Sequence, residues 1–98
     1  MPIISYEDAG TRDIAESDNS KVARRTLPRE LHAAARRRLA VINAMTALTE
    51  LAAFPSWRLE ALRGDRTGQY SIRINDQYRI CFVWDGTDVS AVEIIDYH

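Results

Sequence analysis

Ninety-eight residues, 46% of them hydrophobic, are enough for one folded domain and too few for a second core. A single cysteine, Cys81, excludes an internal disulfide and suits a reducing compartment. The net charge of −1 hides a division along the chain: acidic residues dominate positions 1–20 and 80–98, and arginines dominate positions 21–79.

All but one of the 13 basic residues are arginine, the side chain whose planar fork fits phosphate and stacks on bases. A basic middle of this kind is the footprint of a nucleic acid or an acidic protein, or else a solvated face neutralised by ion pairs. The stretch Met1–Asp8 has no basic lead and no long apolar run, and no segment approaches the length of a membrane span. A cytoplasmic chain without a signal peptide or membrane anchor is expected.

In chain order, Ile3–Tyr6 reads as a short first strand and Asp8–Glu16 as a first helix, closed by the turn-forming run Ser17-Asp18-Asn19-Ser20. A second helix is expected to start at Leu27-Pro28, with proline in its first turn, and to run to about Met45. Leu31, Ala35, Leu39 and Ile42 recur on one stripe of it, and His32 reads as a surface residue. Leu48–Ala53 is a short helix ended by Phe54-Pro55, after which Trp57 to Arg66 lead into a β region. Gln69–Ile74 and Tyr78–Trp84 alternate with period two, turning Tyr70, Ile72, Ile74, Tyr78, Ile80, Phe82 and Trp84 inward. Asp85-Gly86 marks a turn, and Val89–Tyr97 reads as a last strand. The expected class is α+β, a single domain over residues 1–98 in which two N-terminal helices pack on one face of an antiparallel sheet.

The hairpin between the two central strands has a register that its apolar face dictates. A three-residue loop, Asn75-Asp76-Gln77, pairs Ile74 with Tyr78, Ile72 with Ile80 and Tyr70 with Phe82, whereas a two-residue loop would set apolar Ile74 against Gln77. The first register puts Arg73 directly opposite Arg79 on the other face. Like charges so placed repel, and two explanations stand: a site for an anion, or bridging by Glu93, Asp96 or another carboxylate. If the pair is unbridged, removing Arg79 should leave the fold intact or slightly stabilised.

The run from Arg58 to Phe82, with Leu62-Arg63-Gly64-Asp65 and Ile72-Arg73-Ile74-Asn75-Asp76-Gln77-Tyr78-Arg79 inside it, resembles the HigB toxins, and so does the ending Val92-Glu93-Ile94-Ile95-Asp96-Tyr97-His98. The resemblance implies a RelE-like fold and a cytoplasmic type II toxin that cleaves mRNA, generally on the ribosome, with no cofactor. It also implies a HigA-like helix-turn-helix antitoxin, through which alone the toxin would reach operator DNA. It places catalysis on Arg79, Asp96, Tyr97 and His98 and a basic substrate contact on Arg63; Arg73, Arg66 and Glu60 are further candidate substrate contacts. Some members of that family have histidine where Glu60 stands.

The chemistry is consistent with those residue types. RNA carries its own nucleophile, the 2′-OH, so cleavage needs in-line geometry, a proton acceptor, a proton donor and cations near the phosphorus. His98 titrates near neutrality and can take or give a proton. Asp96 can serve as base or orient His98, since alternation sets both on one face of a strand. Arg79 and Arg73 can stabilise charge developing in the transition state. Tyr97 would then face away, and using it would require a bulge; packing in the core is its plainer role. Cys81 is expected to be an inert strand residue, and Trp57 and Trp84 core residues. No spacing of histidine, cysteine and carboxylates suggests a metal site, and there is no glycine-rich phosphate loop. Two rival readings are a ParE-like gyrase poison, which typically lacks the Asp-Tyr-His ending, and a binding module whose arginines only grip.

Overall fold

In the computed structural model, which describes residues 2–97, the helical half comes first. Helix α1 (Ala9–Ala15) begins where the Asp8 carboxylate accepts the Thr11 amide at 2.7 Å. The segment expected to be a turn ends in a second cap. Ser20 Oγ accepts the Ala23 amide at 3.1 Å and donates to Asp13 at 2.7 Å, starting helix α2 (Lys21–Thr26). The described residues therefore hold three α-helices, not two. Residues 21–26 carry no sequence signal of a helix, because six residues span fewer than two turns and show no repeat. Gly10 lets α1 and α2 touch: a Cβ there would sit 1.8 Å from Thr26 Oγ1.

Pro28 precedes a 3₁₀ turn (Arg29–Leu31) that leads into α3 (His32–Ala44), with Ala35, Leu39 and Ile42 buried as the stripe required. His32 is the exception to its reading. It is buried, and its Nε2 donates to the Leu27 carbonyl at 2.7 Å, closing the junction between α2 and α3. Leu48–Ala53 forms a 3₁₀ helix, and a further 3₁₀ turn (Pro55–Trp57) leaves Arg58 left-handed at φ 48°.

Four antiparallel strands follow in sequence order: β1 (Glu60–Ala61), β2 (Gln69–Arg73), β3 (Tyr78–Trp84) and β4 (Val89–Asp96). Ile72 pairs with Ile80, Tyr70 with Phe82 and Arg73 with Arg79, which is the register of the three-residue loop. The expected first strand is reduced to two isolated parallel bridges, Ile3 to Val89 and Tyr6 to Val92, along the outer edge of β4. Ile72, Ile80, Phe82, Val92 and Ile94 pack in one buried cluster with Ile14, Ala35, Leu39 and Ile42, so the helices cover that face of the sheet. Trp57 lies in the same core, and Trp84 packs against it.

One irregularity decides what the other face carries. Val83 pairs with Ser90 but Cys81 pairs with Glu93, so two residues of β4 oppose Phe82, and Ala91 takes φ 51° there. The bulge reverses the phase of β4. Without it Glu93 and Ile95 would point into the core. With it Val92 and Ile94 are buried, while Glu93, Ile95 and the residue after Asp96 join the arginine face.

Candidate functional site

Two cross-strand rows define the face opposite the helices. Glu60, Ser71, Cys81 and Glu93 form one, and Arg73, Arg79 and Ile95 the other. Long polar side chains roof this face, leaving Cys81 fully buried, and that burial pushes its thiol up from the ordinary value.

Arg79 is the centre of the arrangement. It is only 7% exposed. Its Nε donates to Ser71 Oγ at 2.9 Å, and its Nη2 donates to the Arg58 carbonyl at 2.7 Å and more weakly to the Ser71 carbonyl. Among the described residues its hydrogen-bond partners are thus neutral oxygens, and no carboxylate forms an ion pair with it. The small side chain of Ser71, diagonal to Arg79 across the ladder, makes room for the guanidinium and fixes its tilt. The left-handed turn at Arg58 aims a carbonyl at it. Sequence reading found neither partner, although a serine amid the bulky alternation of β2 was the available signal.

Tyr97 lies over this cation, with the Arg79 Cζ 5.3 Å from its ring centroid. The residue is 48% exposed, so core packing is not its role. The phase set by the Ala91 bulge brings Tyr97 to the arginine face and leaves Asp96 on the other, opposite Tyr78. The expected grouping of Asp96 with the arginines is corrected by this register. His98 lies outside the described residues.

Beside the pair is an open groove of about 490 Å³ lined by Glu60, Ala61, Leu62, Arg63, Arg66, Ile95 and Tyr97. Four residues singled out in the sequence, Glu60, Arg63, Arg66 and Tyr97, therefore converge. Arg66 is partly neutralised, since its Nη1 donates to Glu93 at 3.2 Å and Gln69 at 3.0 Å. Arg63 is exposed, two residues beyond β1. Arg73 does not join the groove lining. It forms an ion pair with Asp76 in the hairpin loop, and Arg38 reaches across from α3 to donate to the Arg73 carbonyl at 2.9 Å. Burial first, then the charges of Arg37 and Arg73, push the Arg38 guanidinium down from the usual arginine value. Among the described residues no group of three or more histidine, cysteine or carboxylate side chains is placed to hold a metal ion. No helix there is long and apolar enough to cross a membrane.

Known proteins share both the sequence and the architecture. Residues 5–98 match the HigB-like toxin family, described as the RelE-like toxin of the type II toxin-antitoxin system HigB. The toxin HigB-1 of Vibrio cholerae serotype O1 is 32% identical over 89 residues, covering 90% of each chain. Among solved structures, a YoeB/ParE toxin from Agrobacterium tumefaciens shares the fold with a TM-score of 0.59 at 13% identity, covering 100% of both chains. YoeB from Staphylococcus aureus, solved as a dimer, does so with a TM-score of 0.57 at 18% identity, covering 100% of this chain and 97% of that one. The chain belongs to the HigB-like family of RelE-like toxins of type II toxin-antitoxin systems.

Proposed function

We propose that this toxin is a metal-independent endoribonuclease that cleaves mRNA on the ribosome in the cytoplasm and is silenced by a HigA-like helix-turn-helix antitoxin. The observation that carries the reading is Arg79: a buried cation with neutral partners, lying under the exposed Tyr97 ring beside a groove that holds Arg63, Arg66 and Glu60. A buried guanidinium with no carboxylate partner among the described residues is poised for an anion that arrives from outside.

In the proposed reaction the ribose 2′-oxygen loses its proton and attacks the adjacent phosphorus. The bond to the 5′-oxygen of the next nucleotide breaks, and that oxygen takes up a proton. The products are a 2′,3′-cyclic phosphate and a 5′-hydroxyl. Arg79 and Arg63 stabilise the charge on the non-bridging oxygens, and the Tyr97 ring offers a stacking surface for an unpaired base. Proton transfer falls to Glu60 in the groove and to His98, the residue after Tyr97 in the chain. Operator DNA is reached only through the antitoxin.

The purified toxin should cleave mRNA on ribosomes in excess chelator, with polyamines holding the ribosomes together, and should leave 5′-hydroxyl ends. Fragments with 5′-phosphate ends, or activity abolished by chelator and restored by magnesium, would overturn the mechanism. Growth arrest with intact RNA and inhibited DNA supercoiling would favour the gyrase-poison reading instead.

A further inference from the structure

The Arg79–Tyr97 pair depends on a chain end being held in place. Strand β4 stops at Asp96, and a residue beyond a strand end ordinarily frays. Here the hairpin loop reaches over to hold it. The Tyr97 amide donates to the Gln77 carbonyl at 2.6 Å, which continues the β3–β4 ladder one step past the strand. The Gln77 side chain does a second job, its Nε2 donating to Asp96 Oδ2 at 3.0 Å. Gln77 is itself fixed from behind, because Asn75 Oδ1 accepts the amides of Gln77 at 2.9 Å and Tyr78 at 2.8 Å.

The geometry points to Gln77 as a positioning residue: it clasps Asp96 and Tyr97, so that the Tyr97 ring is held on the Arg79 guanidinium. Asp96 and Tyr97 alternate in direction, so they divide the work. The carboxylate on one face is gripped by the amide of Gln77, while the ring on the other face lands on the cation. Holding one end of the residue pair on each face fixes the twist of the chain between them, which a single contact would leave free to rotate. Neither composition nor spacing marks Gln77, since its amide matters only once the hairpin register is set.

The structural arm of this inference stands alone, and its kinetic arm rests on the ribonuclease reading. In Gln77→Ala the Tyr97 amide should exchange with solvent about tenfold faster, as expected for losing one hydrogen bond to a charged acceptor. The upfield ring-current shift of the Arg79 Nε–H should also shrink, while the amides of Ile80 and Phe82 keep their shifts. Cleavage should slow about 3- to 10-fold in kcat with KM little changed, no more than loss of the ring itself, as a misplaced group does. Gln77→Glu sets a second carboxylate against Asp96. At neutral pH the two repel and the clasp opens; as pH falls they share one proton and it closes. The activity of Gln77→Glu relative to wild type should therefore rise on acidification, which a merely less stable variant would not show. An unchanged Tyr97 amide and Arg79 resonance in Gln77→Ala overturns the clasp, whatever RNA does. Loss of both signals in a toxin that cleaves no RNA keeps the clasp and rejects the ribonuclease reading.

Discussion

Arg73 and Arg79 face each other across one ladder, but their surroundings differ in kind. Arg73 stands at the loop end of the hairpin and takes a local counter-ion, Asp76, whose side chain is 97% exposed. Arg79, on the neighbouring strand, is buried among carbonyl and hydroxyl oxygens and capped by an aromatic ring. Bridging by a carboxylate thus accounts for Arg73, and the proposed anion site concerns Arg79 alone. A register can predict that two charges meet, yet the partner each finds is set by the hairpin loop, by Ser71 on β2 and by the segments that flank β1 and β4. Solvent screens the first cation and satisfies it cheaply. The second has been taken out of water, which is costly for a cation unless an anion completes it.

The largest effect that separates the two belongs to Arg79. Arg79→Lys keeps the charge but loses the fork that reaches Ser71 and Arg58 together, and single-turnover cleavage should fall about 10²–10³-fold. Arg79→Ala should also lower the melting temperature. It leaves the buried Ser71 and the Arg58 carbonyl without a donor, at a cost of about 1–3 kcal/mol. Relief of repulsion from Arg73 returns only about 0.2–1 kcal/mol. Burial therefore reverses the sequence-based expectation of a neutral or stabilised variant. Thermal melts of purified Arg79→Ala that match wild type would show that the two arginines are not different in kind.

Tyr97 sharpens the contrast. If its contribution is the ring on the cation, Tyr97→Phe should cleave within about threefold of wild type, whereas Tyr97→Ala should lose about 3- to 30-fold, the range of a partly desolvated cation–π contact. Equal losses in both variants would move the work from the ring to the phenolic hydroxyl.

In the groove, the same distinction between neutralised and open cations separates Arg63 from Arg66. Each phosphate contact made by a free cation contributes about 0.7 to the slope of log affinity against log salt for a single strand. Arg63→Ala should remove about one such contact, and Arg66→Ala should remove less, because Glu93 already holds part of its charge. Equal slopes for the two variants in filter-binding titrations would mean that RNA displaces Glu93 from Arg66.

How much of this was legible depended on the range of the signal. The hairpin register followed from apolar faces that had to match over three residue pairs, and it held. The bulge at Ala91 was missed, although the strand carries its trace. Val89, Val92 and Ile94 are buried, a spacing of three and then two, but Ile94 and Ile95 are both apolar and the phase break is blurred. That one residue moved Tyr97 to the arginine face and Asp96 away from it. Helix α2 was hidden by its brevity, and the burial of His32 by the fact that its partner is a backbone carbonyl that exists only after the chain has turned. The arginine partners Ser71 and Arg58 act through a hydroxyl and a carbonyl, which composition does not distinguish from loop polarity.

The smallest expected effect completes the comparison. The Arg73–Asp76 pair is an i,i+3 contact at a loop tip, and its carboxylate is almost wholly in water. Exposed pairs of this kind contribute about 0–1 kcal/mol, because solvent already screens both charges and two flexible side chains must be ordered to meet. Asp76→Asn should therefore leave the melting temperature within about 5 °C of wild type, and cleavage within about twofold. Arg73→Gln should be nearly as mild, because the backbone carbonyl through which Arg38 ties α3 to this strand remains in place. A loss in Asp76→Asn approaching that of Arg79→Lys would mean that the hairpin loop does more than neutralise Arg73. Since Gln77 is the next residue along, a combined Asp76→Asn, Gln77→Ala variant would then show non-additive losses, whereas independent sites give losses that add within about 0.5 kcal/mol.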